Sequence, residues 1–360
     1  MALDAFTPRV MSSGVRRMAD SLSHFLTKTV FTQRNTHPTQ IIDWGVLDQN
    51  AKIAKYSRPD EPAQVIAMTP GDLKTLQGPR LRMKKVFDEG KMTKLNPGFD
   101  SYKGPYTNPN DQIAEKVALE QKDLVMKFER MLEIQACQLL QTGVVTFTYV
   151  DNSTVSVNYG FTGDGAASGD SYNIQPAKSG TTRWNVSTGD PLEDLRTWSH
   201  QIEEYSDYNG DLVLIVGTAV GSALLGNAKV QALLDNRRMD VGAFDPRYRK
   251  RLLGILNSIE IWEYMMSYEA ADSTRTAVWN ANTAVLVPKG DAARFSVEYA
   301  AVYEFPSKES DHAEEIQTQW YSKIHRSEDP PVSSIIVETR PLCVCKDVKA
   351  IRKCTVVAAA

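Results

Sequence analysis

Four cysteines, five histidines and two short basic runs are the residues whose types could do chemistry. Cys343 and Cys345 stand two apart in the strand-like run "PLCVC", so both thiols fall on one face. With Cys354 and a histidine they would offer a soft-metal site; the alternative, and the better reading, is small side chains packed inside strands. His24, His37, His200, His312 and His325 are scattered, with no H-E-x-x-H and no G-x-S-x-G elbow. Glu203-Glu204 and Glu314-Glu315 are adjacent pairs whose side chains diverge on a helix, which reads as a solvated face. The loop "GDGAASGD" (163–170) lacks the Gly-Lys-Ser/Thr ending of a phosphate loop. Gly217, Gly221 and Gly226 follow a strand but miss the dinucleotide spacing, so they read as close-packing positions. Neither a catalytic set nor a cofactor site emerges. The basic runs, Arg237-Arg238 and "RYRKR" (247–251), leave three readings open: phosphate contact, salt bridges to a neighbouring subunit, or a solvated helix end.

These residues sit in a chain of 360 residues with 42% hydrophobic and 24% charged residues, a soluble globular composition long enough for two or three lobes. A formal net charge of -3 argues against a dedicated nucleic-acid binder. Few cysteines and no secretory signal favour reduced thiols over a disulfide framework. The longest apolar tract, Leu212 to Gly226, is shorter than the roughly 18–20 residues that span a bilayer, so no membrane segment is expected. The opening residues lack a secretory core and suggest an arm that packs on something else.

The elements follow from spacing. A short amphipathic helix is predicted around Met18 to Leu26, then a polar link through "TQRNTHPTQ". From Val46 to Met92 strand-like fragments are broken by Pro59, Pro62, Pro70 and Pro79, a ribbon with too little apolar content to stand alone. Ile113 to about Thr142 is rich in good helix formers, with Ile113, Val117, Leu124, Phe128, Met131 and Leu132 on one stripe. Asn110 or Asp111 can cap it, and Gly143 stops it. Such a helix is longer than one compact lobe of this size requires. "VVTFTYVDNSTVSVNYGF" then alternates as a hairpin. Asp190-Pro191 opens a second helix, "LVLIVG" (212–217) is a buried strand running into a single further helix, and strands recur to the end.

This order, with particular residues in it, resembles the major capsid proteins of tailed bacteriophages, most closely the lambda-like major capsid protein E family with the Hong Kong 97-type fold. "EKVALEQKDLVMKFERMLEIQACQLLQTG" is similar to that family's spine helix. "RWNVSTGDPLEDLRTW" resembles its Trp and Asp-Pro step, here Trp184, Asp190 and Pro191. "VQALLDNRR" resembles the close of the helix after the buried strand, and "SSIIVETRPLCVCKDVKAIRKCTVV" the terminal strands around Arg340-Pro341-Leu342.

The resemblance implies an α+β fold: an N-terminal arm (1–45), an extended loop (46–98), a peripheral domain with spine helix and hairpin (99–188), an axial domain (189–305), and C-terminal strands returning to the peripheral domain (306–360). It implies a structural protein rather than an enzyme, with no cofactor. Its partners would be itself, in pentamers and hexamers of an icosahedral shell, with a scaffolding protein, a portal protein and a decoration protein. Double-stranded DNA would lie against the inner face without sequence specificity, in a virion assembled in the host cytoplasm. Arg58, Arg80, Arg82, Lys84, Lys85, Arg237, Arg238, Arg247 and Arg249 become candidates for contacts between subunits. Deleting Ser57 to Lys85 should abolish shells while the subunit still folds. The other readings are an encapsulin-like compartment shell, a soluble nucleotide-binding α/β enzyme, and a nucleic-acid-binding module using Arg247 to Arg251.

Overall fold

The structure, a computed structural model, describes residues 8–22, 24–46, 73–87, 109–161, 173–235, 250–269, 274–304, 314–327 and 332–358. The arm holds two helices, α1 (Pro8–Leu22) and α2 (Phe25–Thr29), rather than the single helix expected near Met18. The long helix, α3, runs Pro109–Thr142. Proline suits a first helical turn, where its missing N–H has no bond to lose, and this start places Asn110 and Asp111 inside the helix instead of ahead of it. At 1.5 Å per residue α3 is on the order of 50 Å long. Gly143 ends it at φ +69°, its N–H donating to the Leu139 carbonyl at 2.9 Å. A Cβ at Gly143 would overlap the Phe161 ring, so the left-handed turn and the close approach both require glycine.

The strands β1 (Gln33–Thr36), β2 (Ile41–Gly45), β3 (Leu73–Gln77) and β4 (Leu81–Phe87) precede α3, and the hairpin β5 (Val144–Thr148) and β6 (Thr154–Asn158) follows it. Next come α4 (Pro191–Ser206), β7 (Leu212–Val216), α5 (Thr218–Gly226) and α6 (Ala228–Asp235). β8 (Lys250–Leu256), β9 (Ile259–Tyr264), β10 (Ser267–Glu269), β11 (Arg275–Ala277), β12 (Thr283–Pro288), β13 (Phe295–Tyr299) and β14 (Val302–Glu304) continue the chain. β15 (Glu314–Ile316), β16 (Tyr321–Ser327), β17 (Val332–Thr339), β18 (Pro341–Cys345) and β19 (Arg352–Thr355) close it.

Three sheets carry the architecture: five strands in the order β19-β12-β7-β9-β8, three in the order β1-β13-β18, and three in the order β16-β17-β4. β7 is buried on both faces, which its unbroken apolar run demands. Val213 and Ile215 point into one hydrophobic cluster with Val285, Val297 and Val344, while Leu214 and Val216 point into another with Trp184, Trp198 and Ile202. β17 and β18 lie in sheets packed against α3, whereas β19 pairs with β12 at the edge of the five-stranded sheet.

α3 is long because it crosses two cores. Its first half places Val117, Leu124, Val125 and Phe128 in a cluster with Trp320, Ile335 and Val337, and Met11, Val15 and Ala19 of α1 pack into the same cluster. Its second half places Leu132, Ala136, Leu139 and Leu140 against the hairpin, α2 and β18. Of the apolar stripe along α3, Val117, Leu124, Phe128 and Leu132 are therefore covered by this chain's own arm and sheets, while Leu119 and Met126 elsewhere on the helix stay exposed. The covering strands lie 200 residues downstream in sequence, where helical periodicity carries no trace of them.

Four further expectations change. The helix after β7 breaks at Asn227, whose amide donates to the carbonyls of Trp184 at 3.0 Å and Gly189 at 3.3 Å while its oxygen accepts from the Lys229 N–H at 3.0 Å. The run at Arg247–Arg251 is no helix end where it is described: Lys250 and Arg251 open β8, antiparallel to β9. Glu314-Glu315 sits in a strand paired with β14. Of the glycines after β7, Gly217 abuts the carbonyls of Asn280 and Ala281 and Gly221 packs on Glu263 and Leu253, but Gly226 faces open space.

Asp190 caps α4 as expected, accepting from the Glu193 N–H at 3.2 Å, and it pairs with Lys229 at 2.6 Å. Asp190→Ala should cost about 1 kcal/mol of stability, the usual effect of losing an N-cap, read as a lower guanidinium midpoint with an unchanged slope.

Candidate functional site

The expected contact residues divide into two groups. Arg58, Arg237, Arg238, Arg247 and Arg249 lie outside the described residues. Arg80, Arg82, Lys84 and Lys85 are described, and three of them find carboxylates in their own chain. Arg80 forks onto the fully buried Glu338, Nε to Oε1 at 2.7 Å and Nη2 to Oε2 at 2.8 Å. Arg82 Nε lies 3.5 Å from the same carboxylate and its Nη2 4.0 Å from Glu304. Arg340, buried beside them, completes a ring of three arginines around Glu338, its Nε at 3.7 Å and its Nη1 donating to Gln40 at 2.9 Å. The hydrogen bond to Glu338 raises Arg80 above the ordinary arginine value, whereas burial lowers Arg340.

Lys85 reaches from β4 to α3, where it pairs with Glu120 and with Asp123 at 3.1 Å. Partial burial opposes its charge, and the two acids outweigh that and raise it. Lys84, between these two networks, is exposed. These cations hold β4 to β17 and α3 of the same chain. A deletion from Ser57 to Lys85 would therefore remove β3 and most of β4 from this framework, so it cannot separate folding from assembly. No signal in the sequence links Arg80 to Glu338, since the pair is 258 residues apart.

The cysteines behave as packing residues. Cys343 and Cys345 are buried in β18 and Cys137 in α3, all in one cluster, while Cys354 belongs to another. Cys343 and Cys354 each lie near a backbone carbonyl, and burial pushes Cys354 up to about 12. Among the described residues no three His, Cys, Asp or Glu side chains converge as a metal site, and no helix is long and apolar enough to cross a membrane.

Exposed apolar side chains mark a different kind of surface. At the tip of the β5–β6 hairpin Val150 is fully exposed and Tyr149 is 41% exposed, with Val155 beside them at 43%. Sequence alternation located the hairpin without showing which of its valines would be outside. Leu252 and Ile255 are half-exposed on β8, the outer strand of the five-stranded sheet, and Met83 and Val86 project from β4. An edge strand bearing such residues offers a surface to another chain.

A family model for phage major capsid protein E matches residues 7–356. The chain belongs to the phage major capsid protein E family. Its fold agrees: the capsid protein of an Escherichia coli CFT073 prophage superposes with a TM-score of 0.65 at 15% identity, covering 99% of this chain and 100% of that one. The capsid of cyanophage P-SCSP1u is similar at a TM-score of 0.46 and 9% identity, with 94% and 89% covered. A virus-like particle from Pyrococcus furiosus is similar at 0.40 and 12%, with 98% and 100% covered. No curated protein sequence matches. This member of the major capsid protein E family thus has the α+β Hong Kong 97-type fold and is a structural shell protein. The match to phage capsids over nearly the whole chain sets aside both the encapsulin-like compartment and the nucleotide-binding enzyme.

Proposed function

We propose that this major capsid protein assembles as pentamers and hexamers into the icosahedral head of a tailed phage, closing around double-stranded DNA. The observation that carries this reading is the family match over residues 7–356 on a chain folded as a capsid subunit. Contacts around a ring are heterologous, so one surface of a copy meets a different surface of the next, and rotation closes them. Many weak contacts acting together suffice. DNA inside would meet local cations rather than base-reading elements, in keeping with the net charge of -3. A scaffolding protein, a portal protein and a decoration protein are the partners that such a head calls for, and the assembled protein resides in the virion.

Residues 46–72 serve, in this reading, as the part of the extended loop that meets a neighbour, with Arg58 in it; Lys84, Arg237, Arg238, Arg247 and Arg249 are the remaining basic candidates for contacts between copies. Electron microscopy of the purified protein tests the proposal: hollow polyhedral particles are expected, and a dispersed monomer under all assembly conditions would refute it. The hairpin tip gives a sharper variant. Val150→Asp should leave the circular dichroism and melting of the subunit unchanged, since the side chain touches nothing in its own chain, and reduce particle yield several-fold by placing a charge in a contact between copies.

A further inference from the structure

Two carboxylates one turn apart on α3, Glu129 and Glu133, are both fully buried and both face the arm. Glu133 is satisfied. Its Oε1 accepts from the Leu26 N–H at 2.9 Å and the Tyr264 hydroxyl at 2.8 Å, and its Oε2 from the Thr27 N–H at 3.2 Å. Glu129 has no hydrogen bond to either oxygen. Its counter-charge is Arg34 of β1, with Nη1 at 3.5 Å, and that guanidinium also faces Asp20 of α1 at 3.8 Å. An ionised carboxylate without full compensation is costly inside a protein, and Arg34 faces Asp20 as well as Glu129.

Among the described residues no second cation lies beside Glu129 inside. Tyr299 of β13 presents a buried hydroxyl with no partner, and Cys343 of β18 and Tyr264 of β9 are neutral groups that burial pushes up. Outward from Arg34 a cleft of about 360 Å³ opens, lined by Arg16, Asp20, Lys28 and Gln319 among others. Arg34 is the member of the pair that lines it. Burial pushes Glu129 up to about 7, against the pull of Arg34.

We infer that Glu129 and Arg34 form a proton-dependent latch holding residues 8–36 to the spine helix: a neutral Glu129 keeps the arm docked, and its ionisation loosens it. Docked and released arms differ in proton affinity, because a released Glu129 returns toward the ordinary value of about 4.3. Docking is therefore strongest below that value and is lost as pH rises through about 7. The inference concerns the subunit alone and does not depend on shell assembly.

Hydrogen exchange by mass spectrometry on the full unassembled chain, with labelling times corrected for intrinsic pH dependence, tests it. Protection of peptides in residues 8–36 should fall roughly ten-fold between about pH 5.5 and pH 8, while the β7 peptide keeps its protection. Glu129→Gln should hold the low-pH protection throughout; His24→Gln, removing the histidine within residues 8–36, should behave as wild type. A flat wild-type profile, or the same pH response in Glu129→Gln, overturns the latch. Should Glu129→Gln fail to fold, infrared difference spectra of the wild type decide: a protonated buried carboxyl band must disappear across the same interval, and its absence refutes the inference.

Discussion

Glu338→Ala is expected to lower the stability of the subunit by about 3 kcal/mol, the low end of what is lost when one partner of a buried ion pair is removed. The side chain is fully buried, and among the described residues its carboxylate is the one acid within 4.0 Å of Arg80, Arg82 and Arg340 together. Removing it strands Arg340, which is 7% exposed on its side chain, with a single hydrogen bond to Gln40. Arg80 and Arg82, at 41% and 37%, can turn to water, which keeps the loss from being larger. Arg82→Ala is the control and should cost well under 1 kcal/mol, as half-exposed pairs do. Guanidinium unfolding of the two variants reads the difference. Equal, small losses would mean that the carboxylate is not the centre of the network.

Replacing residues 46–72 by a short Asn-Gly turn should abolish particles altogether and leave the subunit folded. β2 and β3 are antiparallel partners with Gly45 opposite Leu73, so their ends are already adjacent. A hairpin with that pairing closes with roughly two to four residues, and everything beyond that is available for another purpose. The variant keeps β3, β4 and the Glu338 network, unlike the deletion that runs to Lys85. Its melting curve should overlay the wild type, while electron microscopy shows no closed shells. Normal particles would remove residues 46–72 from the contacts between copies.

What could be read in advance was local. α3 with its glycine stop, the β5–β6 hairpin, the Asp190 cap and the doubly buried β7 each rest on residues within a few positions of one another, where periodicity and turn chemistry act. The break at Asn227 was illegible because its cause is the backbone at Trp184 and Gly189. β8 was hidden by the basic residues that open it. The roles of Arg80, Arg82 and Lys85 as internal ties, and of Arg34 against Glu129, depend on partners that only the fold brings near. The capsid assignment was legible for another reason: short matches in a fixed order carry topology that no single segment contains.

The five-stranded sheet has a bearing on when a subunit becomes ready. β7 lies between β9 and β12, and β12 in turn keeps an open flank until β19 arrives. β13 likewise holds β1 early but waits for β18. On the ribosome, then, both sheets stay unfinished until residues 341–355 have emerged. A chain that lacks those residues is expected to leave β12 and β13 each with an open flank, the kind of edge that pairs with other chains.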